Sequence, residues 1–475
     1  MDSLRLALDL CSEVSAHLDR IGHHTPEAGV TCLAYTNEET AAMDYVGAKA
    51  VELGARVFRD QAGNMTAVIE GENSKLRTMM GGSHLDAVPQ GGQYDGRAGV
   101  LAELAVLKML HEESRKLPFD YALQIFRAEE SPRFGKALIG SAFATGRAMA
   151  SDFNRQVFGD GPTLSEEMAG QGVIIPDLEA KVSQAHPLLP LRHIGAFREM
   201  HIEQANVVRG EDCDLGVVTG IRGNVRADVR YLGRAGHTGG EAQYSVEDGQ
   251  VFDERAEASR GMARLIVNLE DHCEQIAAQG RDIVFSAPMI ETPDASATKV
   301  CDNTYGRLEV RSTDKTVLEE VRDFINSEAQ QIAQQRGLEI DQDGFQVVLS
   351  DPVPELSDKM VSHLVRSAME LQIRTTKLPS GAGHDAMNMA LAGILTSMYF
   401  VPHNGLSHRP DENMVLNEGD DPFAAKSPFS NAVRALYQAT TTYKMALKPG
   451  DIRPQTFISA LQDRGATEVT EELVL

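Results

Sequence analysis

The 475-residue sequence predicts an α/β protein: a larger, mostly parallel-sheet domain with a smaller α+β domain inserted into it. Three observations predict this fold. Strand-length apolar runs alternate with amphipathic helical segments in the first third of the chain, an order typical of parallel sheets. Near Cys213 the pattern changes to a β-α-β arrangement with two long helices. The first pattern returns after Gly344, and a chain of this length suits two or three domains.

The first part of the chain begins with two helices and a hairpin, and then alternates strand with helix. Apolar spacing predicts helices over residues 4–21, 38–53, 99–111 and 140–149. Strand signals cover residues 55–60, 65–70, 78–82 and 121–127. The pair Gly63-Asn64 is a turn signal between the first two of these strands. In such folds ligands collect beyond the carboxyl ends of the strands.

The insert has its own order of elements. Strands are predicted over residues 215–222, 224–232, 282–290 and 307–311, and helices over 255–279 and 314–336. We therefore expect the larger domain to comprise residues 1–212 and 341–475, with the insert at 213–340. The tail after Tyr443 has no predicted structure.

Composition excludes several classes of partner. The 45 basic and 69 acidic residues give a net charge of −24, which disfavours nucleic acid and anionic membrane surfaces. No apolar run reaches the roughly 20 residues of a membrane span. The five cysteines are scattered without a CxxC pair, so we expect free thiols and a cytoplasmic protein.

Histidines and carboxylates recur beside glycines or where strands are predicted to end. His84 and Asp86 follow one strand, and Asp95 precedes a helix. Glu129 and Glu130 end another strand, where two buried carboxylates would repel each other without a nearby cation. The remaining segments are HIEQ at 201–204, GRAGHTGG around His237, SGAGHDA at 380–386 and PHNGLSHRPDE at 402–412.

Taken singly, each segment could also contain an ordinary core histidine, hydrogen-bonded within the protein, or an aspartate of a turn. Together they supply imidazole and carboxylate ligands without cysteine, a set that suits Zn²⁺, Mn²⁺ or Co²⁺. A carboxylate shared by two such ions about 3.5 Å apart is the arrangement of a two-metal hydrolase.

These motifs resemble those of the zinc-dependent N-carbamoyl-L-amino acid hydrolases, with allantoate amidohydrolase and β-ureidopropionase as relatives, in the aminoacylase-like di-zinc metallopeptidases. The resemblance runs from GVTCLAYTNEE (29–39) through DQAGN, GSHLDAVPQGGQYDG, AEESPRFG and HIEQ to SGAGHDA and GLSHRPDE. It implies a di-metal catalytic domain, an inserted lid or dimerisation domain, and two divalent ions, with zinc first and manganese or cobalt as alternatives.

The resemblance also implies roles for single residues. His84 and His201 would be terminal ligands of one metal each, Asp95 would bridge the metals, Glu130 would ligate, and His408 would complete the second site. Glu129 would be the general base. Asp86 would orient His84, and Glu412 would support His408. The lid residue His237 would be lent to the partner subunit's site. The expected substrate-binding residues are Gln204, Thr298, Arg311, Gly381, Ala382, Gly383 and His384.

The chain departs from the family pattern at substrate contacts. Ala205 stands where glycine follows HIEQ, HTGGEAQYS replaces HAGTTPM, and Thr298 replaces an asparagine, leaving a hydroxyl where an amide could both donate and accept. We therefore expect a homodimeric metal-dependent amidohydrolase of an N-carbamoyl- or N-acyl-L-amino acid or related ureido acid, with altered substrate choice. The alternatives are a dipeptidase of the same fold and a catalytically silent metal-binding homologue.

Overall fold

The computed structural model describes residues 2–25, 27–240, 243–247, 250–253, 255–293, 296–353, 355–405, 407–414, 421–444 and 452–469. Contacts divide the chain into two compact units. The larger unit comprises Met1–Thr219 and Glu355–Leu475, and the smaller unit is Gly220–Pro354. Across the described residues, no helix combines the length and the apolar character needed to cross a membrane.

The larger unit is built from two stretches of chain. Its first helices are α1 (Ser3–Ile21), α2 (Asn37–Glu52), α3 (Arg97–Glu112), α4 (Ile139–Thr145), α5 (Leu164–Gly170), α6 (Ile175–Val182) and α7 (Val207–Gly210). Its first strands are β1 (Val30–Cys32), β2 (Arg56–Arg59), β3 (Met65–Ile69), β4 (Thr78–His84), β5 (Ala87–Gly91), β6 (Tyr121–Phe126), β7 (Ile194–Ile202) and β8 (Leu215–Ile221).

The insert and the return to the larger unit follow in chain order. The insert contains β9 (Gly223–Leu232), β10 (Tyr244–Glu247), β11 (Gln250–Asp253), α8 (Ala258–Ala278), β12 (Val284–Glu291), β13 (Asn303–Ser312), α9 (Lys315–Arg336), β14 (Glu339–Ile340) and β15 (Gln346–Ser350). The larger unit resumes with α10 (Asp358–Glu370), β16 (Thr375–Ser380), α11 (Asp385–Leu391), β17 (Thr396–Val401), α12 (Pro428–Thr442), α13 (Phe457–Asp463) and β18 (Thr467–Glu468).

A nine-stranded sheet organises the larger unit, in the order β16-β8-β17-β7-β4-β6-β3-β2-β18. The four central strands β17, β7, β4 and β6 are parallel to one another. Strands β3, β2 and β18 continue the sheet antiparallel, and the short turn at Gly63 can join β2 and β3 only as antiparallel neighbours. On the other side, β8 pairs antiparallel with β17, so the predicted mostly parallel sheet is a mixed one.

The smaller unit is an antiparallel sheet with α8 and α9 packed on one face. Strand β9 alternates buried and half-buried residues along its whole length, and β13 does the same. This period of two is the pattern of a sheet with one face on a core. The α/β fold with an inserted α+β unit is confirmed.

Several boundaries differ from the sequence-based expectation. The sequence places the insert at 213–340, whereas the units divide at Gly220 and Pro354. Strand β8 pairs with β17 in the larger sheet, and β15 pairs with β9 in the smaller one. Helix α4 ends at Thr145, since Gly146 adopts a left-handed conformation at φ +74°. The tail contributes α13 and β18, while residues 445–451 and 470–475 lie outside the described residues.

Candidate metal centre and active site

Five side chains meet at the carboxyl ends of the central strands. His84 is the last residue of β4, and His201 is the penultimate residue of β7. Asp95 lies just before α3, Glu130 follows β6, and His408 follows β17. Since β17, β7, β4 and β6 are parallel neighbours, their carboxyl ends meet at one edge, where such folds bind ligands. All five predicted metal ligands are therefore brought together.

The ligand atoms form two groups that share one carboxylate. His84, Asp95 and His201 make one group, and Asp95, Glu130 and His408 make the other, with the ligand atoms of each group within 4.8 Å of one another. His201 Nε2 lies 3.0 Å from Asp95 Oδ1, and His408 Nε2 lies 3.0 Å from Asp95 Oδ2. The resemblance puts His84 and His201 on different metals; the structure instead groups them together, because β4 and β7 are adjacent parallel strands.

Two buried polar atoms in these groups test whether a metal fits. Among the described residues, His84 Nε2 and Glu130 Oε1 have no hydrogen-bond partner, although both are shielded from solvent. Such orphaned atoms are costly unless something else satisfies them. An imidazole and a carboxylate turned toward a shared aspartate are suitable donors for a divalent cation. The site therefore fits a pair of metal ions.

Two glycines permit the close approach of these loops. A Cβ on Gly96, which has φ +63°, would lie 2.4 Å from the His84 imidazole. A Cβ on Gly92 would lie 2.0 Å from Glu412 Oε1. Glu412 in turn accepts from the backbone N–H of His408 at 3.1 Å and of Tyr94 at 3.4 Å. Glu412 thus joins the loops that carry Asp95 and His408 through their backbones.

The charges at the centre shift one another's pKa values. Burial raises the pKa of Glu130 to about 8, and the nearby Asp95 carboxylate adds to the rise. The hydrogen bond to Asp95 raises the pKa of His408 to about 9. For Asp95, burial opposes ionisation, but His201 and His408 hold its pKa well below the usual range. The buried carboxylates therefore disfavour one another's ionisation, and the imidazoles of His201 and His408 favour that of Asp95.

Glu129 stands beside the ligands without joining either group. Its Oε2 lies 3.7 Å from His84 Nε2, and its side chain is 9% exposed. Burial raises its pKa well above the usual range, and the Glu130 carboxylate adds to this. Asp86 accepts the backbone N–H groups of Glu129 and Glu130 at 3.1 and 3.0 Å. His84 Nδ1 lies 3.0 Å from the Asp86 carbonyl oxygen and 3.4 Å from Oδ1, so Asp86 touches both the imidazole and the base.

Two of the expected substrate-binding segments border the metal ligands. Gln204 donates from Nε2 to Asp95 Oδ2 at 3.0 Å. The His384 ring is buried, with its centroid 4.4 Å from that of His201, and its Nε2 lies 3.0 Å from Ser380 Oγ. Gly381 is exposed, and Ala382 and Gly383 are half-buried. This loop therefore presents backbone near the His201 side of the centre.

The other three predicted site residues belong to the smaller unit. His237 is exposed and forms a β-bridge with Lys299, next to the exposed Thr298. Arg311, on β13, donates from Nε to Glu309 Oε1 at 2.8 Å, and its side chain is 35% exposed. Within this unit, His237 and Thr298 are neighbours, and Arg311 is already engaged by a carboxylate.

One buried acid near the centre was not anticipated from the sequence. Glu199, two residues before His201 on β7, is 0% exposed. It accepts from Ser83 Oγ and from the backbone N–H of Ala386, both at 2.7 Å. It thus joins β7, β4 and the start of α11. The sequence IGAFREMHI could have indicated this residue, because it is a mostly apolar strand that contains two adjacent charged residues.

Comparisons with known proteins agree with this geometry. Residues 80–425 match Peptidase family M20/M25/M40. Ureidoglycolate hydrolase of Arabidopsis thaliana is 28% identical over 390 residues, 82% of this chain and 78% of that protein. N-carbamoyl-L-amino-acid amidohydrolase of Pseudomonas sp. is 28% identical over 405 residues, 83% of this chain and 92% of that protein.

The fold is also found among solved structures. An amidase of the hydantoinase/carbamoylase family from Burkholderia multivorans aligns with a TM-score of 0.74 at 24% identity, covering 92% of this chain and 97% of that one. The fold and the paired ligand groups define a metal-dependent hydrolase of C–N bonds. The chain belongs to peptidase family M20/M25/M40, which confirms the resemblance seen in the motifs.

Proposed function

We propose that this chain is an amidohydrolase that cleaves the amide or ureido C–N bond of an N-carbamoyl- or N-acyl-L-amino acid, or of a related ureido acid. The observation that carries the proposal is the Asp95 carboxylate shared by two ligand groups, with the buried Glu129 beside them. The named relatives act on ureidoglycolate and on N-carbamoyl-L-amino acids, which favours a ureido or carbamoyl group in the substrate.

Two divalent ions, with zinc proposed first and manganese or cobalt as alternatives, would supply a water of lowered pKa and a polarised carbonyl. The residues His84, Asp95, Glu130, His201 and His408 would hold them. Glu129 accepts a proton from the attacking water and returns it to the leaving nitrogen. A carboxylate whose pKa burial has raised is suited to both steps.

The remaining roles concern the substrate. His237 donates a hydrogen bond to the developing oxyanion. Arg311 binds the substrate carboxylate through its planar guanidinium group, which can donate two parallel hydrogen bonds. The same guanidinium also donates to Glu309. Gln204, Thr298 and the loop 381–384 line the rest of the substrate. The hydroxyl of Thr298 offers one donor where an amide would offer two, so we expect it to influence the choice of acyl group.

The test is a substrate panel on metal-stripped protein, with and without added Zn²⁺, Mn²⁺ or Co²⁺. N-carbamoyl amino acids, N-acetyl amino acids, ureido acids and dipeptides are compared by release of the free amino acid or amine product. Metal-dependent hydrolysis of a carbamoyl, ureido or acyl substrate supports the proposal. Cleavage of dipeptides alone would make the chain a dipeptidase, and two bound metals without any turnover would indicate the silent homologue.

We further propose a homodimer in which His237 serves the partner subunit's site, and a cytoplasmic location. All five cysteines are free thiols, as in a reducing compartment. Mixing His237→Ala with Glu129→Gln subunits tests the dimer, because one intact site per mixed pair would restore activity. No recovery from co-purified mixed dimers would mean that each site uses its own His237.

A further inference from the structure

Two motifs that carry the family resemblance have no role in the site described so far. They are residues 29–39 (GVTCLAYTNEE) and residues 60–64 (DQAGN). Each sends a side chain to the turn after β6 that carries Glu129: Glu39 from the first motif and Asn64 from the second. Glu39 is 0% exposed and Asn64 is 1% exposed, so both are held entirely by protein contacts.

We call residues 127–130 the base turn, and side chains accept all four of its backbone N–H groups. The first N–H donates to Asn64 Oδ1 at 2.9 Å, and the second to Glu39 Oε1 at 3.0 Å. The last two donate to Asp86 at 3.1 and 3.0 Å. The N–H groups of the base turn therefore bond to side chains from three separate segments. The carbonyl groups of residues 127–129 accept the backbone N–H groups of residues 140, 139 and 138 at 2.9, 3.0 and 2.8 Å.

The base turn contains an unfavourable backbone conformation. Ala128 has φ +53°, in the left-handed region that residues with a Cβ seldom adopt. Such a conformation persists only where its surroundings over-determine it. The residue that accepts the N–H of Ala128 is Glu39, and the next residue along the chain is the base Glu129.

An ion pair fixes Glu39 itself. Arg127 donates from Nε to Glu39 Oε2 at 2.7 Å and from Nη2 at 2.6 Å. The backbone N–H of Tyr35 donates to the same oxygen at 2.6 Å, and the Tyr35 ring lies under the guanidinium, 4.6 Å from its carbon to the ring centroid. One oxygen of Glu39 is thus saturated by donors, which leaves the other directed at Ala128.

We propose that Glu39, through its ion pair with Arg127, is a positioning residue that holds Ala128 in the left-handed conformation and so aims Glu129 at the reacting atoms. The inference rests on the proposed function, because it takes Glu129 as the base. Glu39 touches neither substrate nor metal ligand in this assignment. Its effect is on the proton-transfer step, not on substrate affinity, since the expected substrate contacts lie on other loops.

The direct test is Glu39→Gln in the metal-loaded enzyme. The amide keeps the size of the side chain but loses the charge that pairs with Arg127. We expect kcat to fall by about 10- to 100-fold, since small misplacements of a catalytic group have effects of that size. The KM should stay within about twofold and the metal content should stay at the wild-type value, because binding groups are untouched. An unchanged kcat overturns the inference.

A second substitution separates positioning from general damage. In Glu39→Gln/Ala128→Gly, glycine adopts a positive φ without strain, so the base turn no longer needs the carboxylate. We expect this double variant to recover most of the lost kcat. A merely structural role for Glu39 predicts no recovery, since the added glycine would only destabilise the fold further.

Asp120→Asn is the matched control. Asp120 is also a buried carboxylate that accepts a backbone N–H, that of Gly71 at 2.8 Å, but it lies at the opposite end of β6 from Glu129. We expect a lower melting temperature and an unchanged kcat. If Glu39→Gln does not fold, Arg127→Lys, which keeps the charge and loses the fork, should show the same kcat-selective loss.

A crystal structure of the Glu39→Gln variant is independent of turnover. An Ala128 that leaves the left-handed region and a Glu129 displaced from His84 support the inference, and an unchanged base turn overturns it. Failure of the proposed function shows instead as a wild-type enzyme that is inactive on the whole substrate panel. The two failures are therefore distinguishable.

Discussion

The larger unit buries charged side chains on its helices, strands and turns, whereas the described residues of the smaller unit bury no charged side chain. Glu39, Glu103, Arg127, Arg198 and Glu199 are each at most 1% exposed. Among the described residues of the smaller unit, the buried polar side chains are only those of Thr304 and Ser312. Its core is instead a mostly aliphatic cluster from β9, β13, α8 and α9, which also includes Tyr231.

The two units differ in the free-energy cost of burying charged groups. A buried charge is expensive unless it is paired and fully hydrogen-bonded, and an aliphatic core avoids that cost. The larger unit carries it in pairs such as Glu103–Arg198, joined at 2.7 and 2.8 Å, and in the ligand cluster around Asp95. We therefore expect substitutions in the larger unit that reach the ligand cluster to affect chemistry and metal binding, and those in the smaller unit's core to affect stability alone.

The largest expected effect is that of Glu129→Gln. Removal of a general base typically lowers kcat by about 10²- to 10⁴-fold, while ligands of the metals are kept. We expect metal stoichiometry, measured by elemental analysis, to match that of the wild type. The exposed Glu72→Gln in the same unit is the control and should leave kcat unchanged. A Glu129→Gln enzyme with wild-type kcat would mean that another group moves the proton.

The next largest effect is expected from a matched pair of core substitutions. Leu308 and Leu101 are both 0% exposed, one in the smaller unit's sheet and the other on α3. Each change to alanine should lower the free energy of unfolding by about 2–5 kcal/mol. Only Leu101→Ala should also weaken metal binding, since α3 begins beside Asp95. Denaturant unfolding measures the change in stability, and metal titration measures the change in affinity. Equal metal affinities of the two variants would contradict the expected difference between the units.

A smaller effect is expected from pH on the metal-free protein. The pKa of His408 is raised to about 9 and that of Glu130 to about 8, against roughly 6.5 and 4.3 in an unfolded chain. The folded chain therefore binds more protons than the unfolded one near neutral pH, and its stability falls as the pH rises from 7 to 9. Melting temperatures at pH 7, 8 and 9 should decrease in that order.

Two controls accompany the pH series. Saturating Zn²⁺ should flatten the decline, because a bound cation replaces the protons. His408→Gln should reduce the slope in the metal-free protein. A melting temperature that rises with pH between 7 and 9 would contradict the assignment of these protons.

The smallest effect is expected at a surface ion pair of the smaller unit. Arg281 Nη1 lies 2.7 Å from Glu320 Oε2, with the side chains 27% and 41% exposed. Such pairs contribute about 0–1 kcal/mol, so Glu320→Gln should leave unfolding and catalysis nearly unchanged. A loss comparable to that of Leu308→Ala would show that the smaller unit also depends on charge.

Much of the candidate site is predictable from the sequence, because its residues sit in short motifs at strand ends. The carboxyl ends of neighbouring parallel strands lie together, so the predicted strands before His84 and Glu130 predict that these two residues are neighbours. No strand is predicted before His201, and only the motif resemblance groups it with them. The pair of Arg311 with Glu309, two residues away on the same face of β13, follows from the period of a strand. The partners of Asp86 are not predictable in this way, because it accepts N–H groups from more than 40 residues further on.

The fold class and the family follow from the amino-acid sequence alone, since periodicity and local motifs specify them, and the motif resemblance names the ligands that we propose. Tertiary contacts decide how the ligands divide around Asp95, which strands leave the insert for the larger sheet, and what holds the base turn. The last of these depends on the pair of Glu39 with Arg127, 88 residues apart. A long-range pair of this kind has no local signature, because the loop between the partners does not constrain which side chains meet.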